Sequence, residues 1–214
     1  VVGCGVAGPA DGEPPRSYRG AVRPDEPTTR VLHTVRVLGY AEPARIADRL
    51  GLPEPAVSEA LLDAEAYGWV RHADGGWSAT DRGRAEGERR VAAELDAADA
   101  RETVAAAHRD FLPLDDVVEA ACAAWQQRQL GLGEAAVGQA ETLVVLRRAA
   151  GAVAELEARL VAVLPRFAGY HRRFAAALAV ADTQEAWITG LDRDSCHRVW
   201  SELGQDLRTT LGAA

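Results

Sequence analysis

The chain has 214 residues, 48% of them hydrophobic, and a net charge of −8. Such a chain is long enough to bury one large or two small cores and too apolar to stay unfolded. Its acidity does not announce a nucleic-acid binder, and no apolar run approaches the ~20 residues of a membrane span. Residues 1–7 are too short for the apolar part of a signal peptide, so a cytoplasmic protein with no membrane partner is expected.

Three cysteines, Cys4, Cys122 and Cys196, are odd in number and far apart, which gives neither a disulfide framework nor a zinc spacing. All 24 basic residues are arginine. Residues 28–90 hold nine arginines and ten acids, whereas residues 91–214 hold twelve and eighteen, so the acidity is concentrated in the second half.

In chain order, residues 1–27 carry Pro9, Pro14, Pro15, Pro24 and Pro27 and read as a flexible arm or linker. Gly3 to Gly8 has the letters GxGxxG. No strand precedes it, and Pro9 blocks the helix that would receive a pyrophosphate, so dinucleotide binding is not expected. Thr28–Tyr40 reads as a helix buried through Val31, Leu32, Val35 and Leu38. Ile46, Ala47 and Leu50 mark a second, short helix that Gly51 ends. A third helix spans Glu54 to Tyr67, with Val57, Leu61 and Ala64 inward and Gly68 at its close. Trp69–His72 and Trp77–Thr80 read as strands joined through Ala73-Asp74-Gly75-Gly76, whose Asp-Gly and Gly-Gly steps signal a tight hairpin. Thr80 is placed to cap the next helix, which is predicted to run from Asp81 to about His108.

Helix, turn, helix, hairpin is the order of a winged helix-turn-helix. Ile46-Ala47, Leu50-Gly51-Leu52, Val57-Ser58, Leu61, Gly68-Trp69-Val70 and Trp77-Ser78-Ala79-Thr80, followed by Asp81-Arg82-Gly83-Arg84, resemble the winged-helix regulators of the multiple-antibiotic-resistance (MarR) type. The resemblance covers residues 28–90 and implies a homodimer that binds double-stranded DNA. A much shorter stretch, Val1-Val2-Gly3-Cys4-Gly5, resembles the swivelling phosphohistidine domain of phosphoenolpyruvate-utilising enzymes.

Residues 91–214 read as a helical dimerisation or effector domain. Helices are predicted over Leu114–Gln129, Glu134–Leu164, Pro165–Ala181 and Ser195–Leu211, a bundle of about four. The fold class is therefore mainly α with a small two-stranded β wing, a winged helix-turn-helix followed by a helical bundle.

In such a motif the second helix enters the major groove. Here that helix, Glu54–Tyr67, contains no arginine and exposes acids that would repel phosphate. Phosphate contacts then fall to Arg45 and Arg49 before it, Arg71 and His72 on the wing, and Arg82 and Arg84 after it. Base reading falls to Ser58 and Glu59. In the helical half, Arg166, Tyr170 and Arg173 lie at i, i+4 and i+7 and could clamp a small anionic effector, with Trp125 as an aromatic wall. No cofactor or metal spacing occurs. Ser195-Cys196-His197 puts thiol and imidazole about 100° apart on a helix, a poor catalytic pair. The leading expectation is thus a non-enzymatic, DNA-binding, homodimeric transcription regulator. The alternative is a protein-interaction module associated with a phosphoenolpyruvate-utilising enzyme.

Overall fold

The computed structural model describes residues 27–132 and 138–212, and it is mainly helical with one small antiparallel sheet. The arm at residues 1–26, with its GxGxxG letters, Cys4 and the Val1–Gly5 stretch, lies outside the described residues.

Helices α1 (Pro27–Leu38), α2 (Pro43–Leu50) and α3 (Glu54–Ala66) are followed by β1 (Val70–Ala73) and β2 (Gly76–Ala79). Gly51 ends α2 at φ 62°, and both its N–H and that of Leu52 return to Ala47, a left-handed stop that a side chain would strain. Asp74 and Gly75 turn the hairpin with φ of 49° and 83°, the double positive φ of a type I′ turn. Both strands begin and end one residue off the predicted bounds. The backbones of Ala41 and Trp77 exchange hydrogen bonds of 3.1 and 2.8 Å, which ties the α1–α2 connection to the hairpin.

Helix α4 (Asp81–Ala97) begins at Thr80, whose hydroxyl accepts from the Gly83 N–H at 3.0 Å and donates to the Gly68 carbonyl at 2.6 Å. One hydroxyl therefore caps α4 and fixes the end of α3. The predicted single helix to His108 is broken. Asp99 adopts φ 49°, and the Ala100 N–H returns to Leu95. A new helix, α5, then runs from Arg101 to Gln129 straight through Pro113, which is exposed. The predicted helix start at Leu114 is accordingly wrong: Pro113 costs one backbone hydrogen bond on a solvent face and does not stop the helix.

Helix α6 (Gln139–Val161) packs on α5. A 3₁₀ turn, Pro165–Phe167, and Gly169 at φ 103° precede α7 (Tyr170–Ala181), so the helix expected from Pro165 starts five residues later. A single turn, α8 (Ala186–Thr189), leads to α9 (Cys196–Leu211), capped by Ser195.

Two apolar clusters form. The first gathers Val31, Leu32, Val35, Ile46, Val57, Leu61, Val70 and Trp77. The second gathers Phe111, Leu146, Leu160, Phe174 and Trp200 with their neighbours. The Phe111 and Trp200 rings stack at 4.6 Å, and the Trp200 indole donates to Asp115 at 2.7 Å. Between the clusters, α1, α2 and α4 meet α7 and α9 through a polar seam.

Candidate functional site

The seam is built on one face of α9. Arg198, Glu202, Asp206 and Thr210 recur every four residues, so they stack along the helix. Beside them, Val199, Leu203 and Leu207 face the apolar core.

At the C-terminal end of this face, Asp206 is buried and accepts four hydrogen bonds. They come from Arg166 at 2.7 Å, the Tyr170 hydroxyl at 2.9 Å, His33 at 2.8 Å and the Thr210 hydroxyl at 3.2 Å. Burial alone would raise its carboxyl, but the Arg166 guanidinium and these hydrogen bonds hold it well below the ordinary carboxylate range. Burial lowers the His33 imidazole, and the Arg166 charge lowers it further. His33 Nε2 lies 2.8 Å from Asp206 and 2.9 Å from the Arg166 guanidinium, and a neutral ring protonated at Nε2 donates to Asp206; Nδ1 is buried without a hydrogen-bond partner among the described residues. Arg166 also donates to Glu94 at 2.9 Å and Thr210 at 2.7 Å. Burial pushes the Tyr170 hydroxyl far up, and the Asp206 charge adds to the effect, so it is a donor only.

One helical turn away, Glu202 and Asp194 face four guanidiniums. Arg45 reaches Glu202 at 2.8 Å and Asp194 at 3.3 Å. Arg49 reaches the same pair at 2.5 and 3.3 Å. Arg173 reaches them at 2.7 and 3.2 Å, and Arg198 lies 3.6 Å from Glu202. Burial holds the Glu202 carboxyl above its ordinary value, a rise that Arg49 and Arg45 offset only in part.

A cavity of about 200 Å³ opens where the seam meets α1 and α2, bordered by His33, Arg49, Arg166, Tyr170, Arg173 and Asp206. That is below the roughly 300–1,000 Å³ of pockets for drug-sized ligands. The proposed clamp residues Arg166, Tyr170 and Arg173 do converge here. Arg166 and Tyr170, however, already donate to Glu94, Thr210 and Asp206, and Arg173 donates to Glu202, while its Nε–H has no hydrogen-bond partner among the described residues. Trp125 does not join them; it is buried in the apolar core.

The residues expected to face DNA separate into two groups. Arg45 and Arg49 belong to the seam, where both pair with Glu202 and Asp194. Arg71, His72, Arg82 and Arg84 are exposed, as is Glu59, while Ser58 is half-buried. Arg71 and Arg84 border one shallow depression beside the hairpin. Arg84 pairs with Asp81, Arg71 donates to the Ser78 hydroxyl at 3.2 Å, and the His72 ring lies 4.9 Å from that of Trp77. Helix α3 exposes Glu54, Glu59, Asp63 and Glu65 together with Leu62 and Tyr67.

Sequence reading missed Glu202, Asp206, Asp194 and His33. The stripe Arg198-Glu202-Asp206-Thr210 is a readable signal for the first two, because four polar residues at helical spacing beside an apolar stripe mark a second interface. Asp194 and His33 carry no local signal. Burial pushes the thiols of Cys122 and Cys196 up to about 12, which leaves little thiolate for chemistry. Comparison of the chain with protein-family models, curated proteins and solved structures gives no match in any of the three.

Proposed function

We propose that residues 28–90 form a winged helix-turn-helix and that the chain is a homodimeric regulator that engages double-stranded DNA chiefly through the wing and the start of α4. The observation that carries this reading is the exposed group Arg71, His72, Arg82 and Arg84 on the hairpin side of the unit. Helix order, the left-handed stop at Gly51 and the I′ turn support the motif itself. Exposed Leu112 and Val117 on α5 offer apolar surface for pairing two protomers.

With Arg45 and Arg49 held in the seam, three arginines per protomer remain for phosphate. Two protomers would neutralise about six phosphates, a log–log salt slope of about −5. Selection from random duplex DNA at low salt, followed by titration of the enriched sequence, tests the reading. Saturable binding with that slope supports it, and failure to enrich any duplex counts against it.

A second reading has its own support. The exposed face of α3 has four carboxylates, no cation, and the apolar Leu62 and Tyr67. That surface suits a protein with a basic rim better than it suits phosphate. In this reading the unit docks onto a protein, such as a phosphoenolpyruvate-utilising enzyme.

A further inference from the structure

Charge does not balance around Glu202. Four guanidiniums, from Arg45 and Arg49 on α2, Arg173 on α7 and Arg198 on α9, lie within 3.6 Å of it or of Asp194. Among the described residues, two carboxylates pair with these four cations, a local surplus of two positive charges. The cluster is not a solvated surface patch. The side chains of Arg49 and Arg173 are 13% exposed, and Glu202 is 7% exposed. The Nε–H groups of Arg45, Arg49 and Arg173 are buried with no hydrogen-bond partner among the described residues. Arginine cannot shed its proton to relieve this, so the surplus persists at any physiological pH. Burial and the charge of Arg45 both act against the cationic form of Arg198, as expected where like charges crowd.

The cluster is also reachable. A groove of about 790 Å³ runs past Arg45, Arg49, Arg173, Arg198 and Asp194. Glu42, Asp48 and Asp192 also line it, with Arg172; all four are exposed, so water screens them, and Asp192 is paired with Arg193. Buried cations without counter-charge are costly, and an anion that enters the groove removes that cost while gaining charge-assisted hydrogen bonds.

We propose that this groove is a binding site for a small dianion, a phosphate or a compact dicarboxylate, held by Arg45, Arg49, Arg173 and Arg198. Two of its cations come from α2 and two from the helical half, so a bound dianion fastens the two apolar units together. The groove reaches the hairpin at one end through Tyr40 and Ala41, but its four cations lie on α2, α7 and α9, and the proposal does not depend on what the wing contacts.

Calorimetric titration of the full chain with inorganic phosphate, at pH 8 and constant ionic strength, tests it, with succinate and acetate in parallel. Saturable binding of phosphate or succinate, with acetate much weaker, is the expected result, and the tighter of the two names the class. Arg198→Gln removes the most exposed of the four arginines and should weaken binding about tenfold or more. Glu202→Gln raises the surplus by one and should tighten binding, an effect that loss of structure cannot mimic. The proposal is overturned if neither dianion saturates by about 10 mM, if acetate binds equally well, or if Arg198→Gln leaves the affinity unchanged.

Discussion

Asp206→Asn tests the seam with one atom changed. The carboxylate is buried and serves four donors, among them the Arg166 guanidinium at 2.7 Å. The amide keeps the shape but withdraws the charge, so Arg166 is left with Glu94 as its one paired carboxylate among the described residues. Removing one partner of a buried pair typically costs about 3–5 kcal/mol. For a chain of this size that corresponds to a fall in melting temperature of roughly 6–20 °C. Urea denaturation followed by circular dichroism reads the same quantity. The sign of the pH effect follows from both groups. The Asp206 carboxyl is held below its ordinary 3.8, so its stabilisation is present above that value and is lost as pH falls beneath it. The His33 imidazole is held below its ordinary 6.5, so the native state also loses stability as pH drops from 6.5 toward the lowered value. Wild type should therefore lose stability in two stages, and the gap between wild type and Asp206→Asn should narrow below about pH 4. Asp206→Leu combined with Arg166→Met, which replaces the pair by apolar groups, should be less destabilised than either single change. A cost below about 1 kcal/mol for Asp206→Asn, or simple additivity of the pair, would refute the buried network.

Gly83→Ala should destabilise strongly, because a Cβ there would sit 1.8 Å from the Trp69 carbonyl oxygen; a loss of at least about 2 kcal/mol is expected by thermal denaturation. Thr80→Ala removes the α4 cap and the bond to Gly68 together, and about 1–2 kcal/mol should be lost in the same assay. In a Cys4→Ser background, Cys122 and Cys196 should resist a thiol reagent at pH 8 until urea unfolds the chain, since both thiols are buried and pushed up to about 12.

The amino-acid pattern makes the first three helices and the hairpin legible because each boundary has a local cause: Gly51, Gly68, Asp74-Gly75, Thr80. The corner at Asp99 has no such mark. Ala98-Asp99-Ala100 contains neither glycine nor proline, and a lone aspartate, although it tolerates positive φ, does not by itself mark a break. Pro113 misleads in the opposite sense, since an exposed proline can ride within a long helix whose buried side is well packed. Arg45 illustrates the limit at the site. Its partners Asp194 and Glu202 lie 149 and 157 residues along the chain, so nothing near Arg45 distinguishes a phosphate contact from an ion pair. The i, i+4, i+7 spacing of Arg166, Tyr170 and Arg173 does place them on one face, but only the fold reveals the carboxylates that occupy them.

The most direct test of the proposed function compares wild type and two variants on a selected duplex across a salt series. Arg71→Ala should reduce the slope by about two for a dimer and weaken binding, while Glu59→Gln should strengthen binding by removing an acid from α3. Absence of any saturable duplex binding at about 50 mM salt, or a slope unchanged by Arg71→Ala, would contradict the account and favour α3 as a protein-docking face.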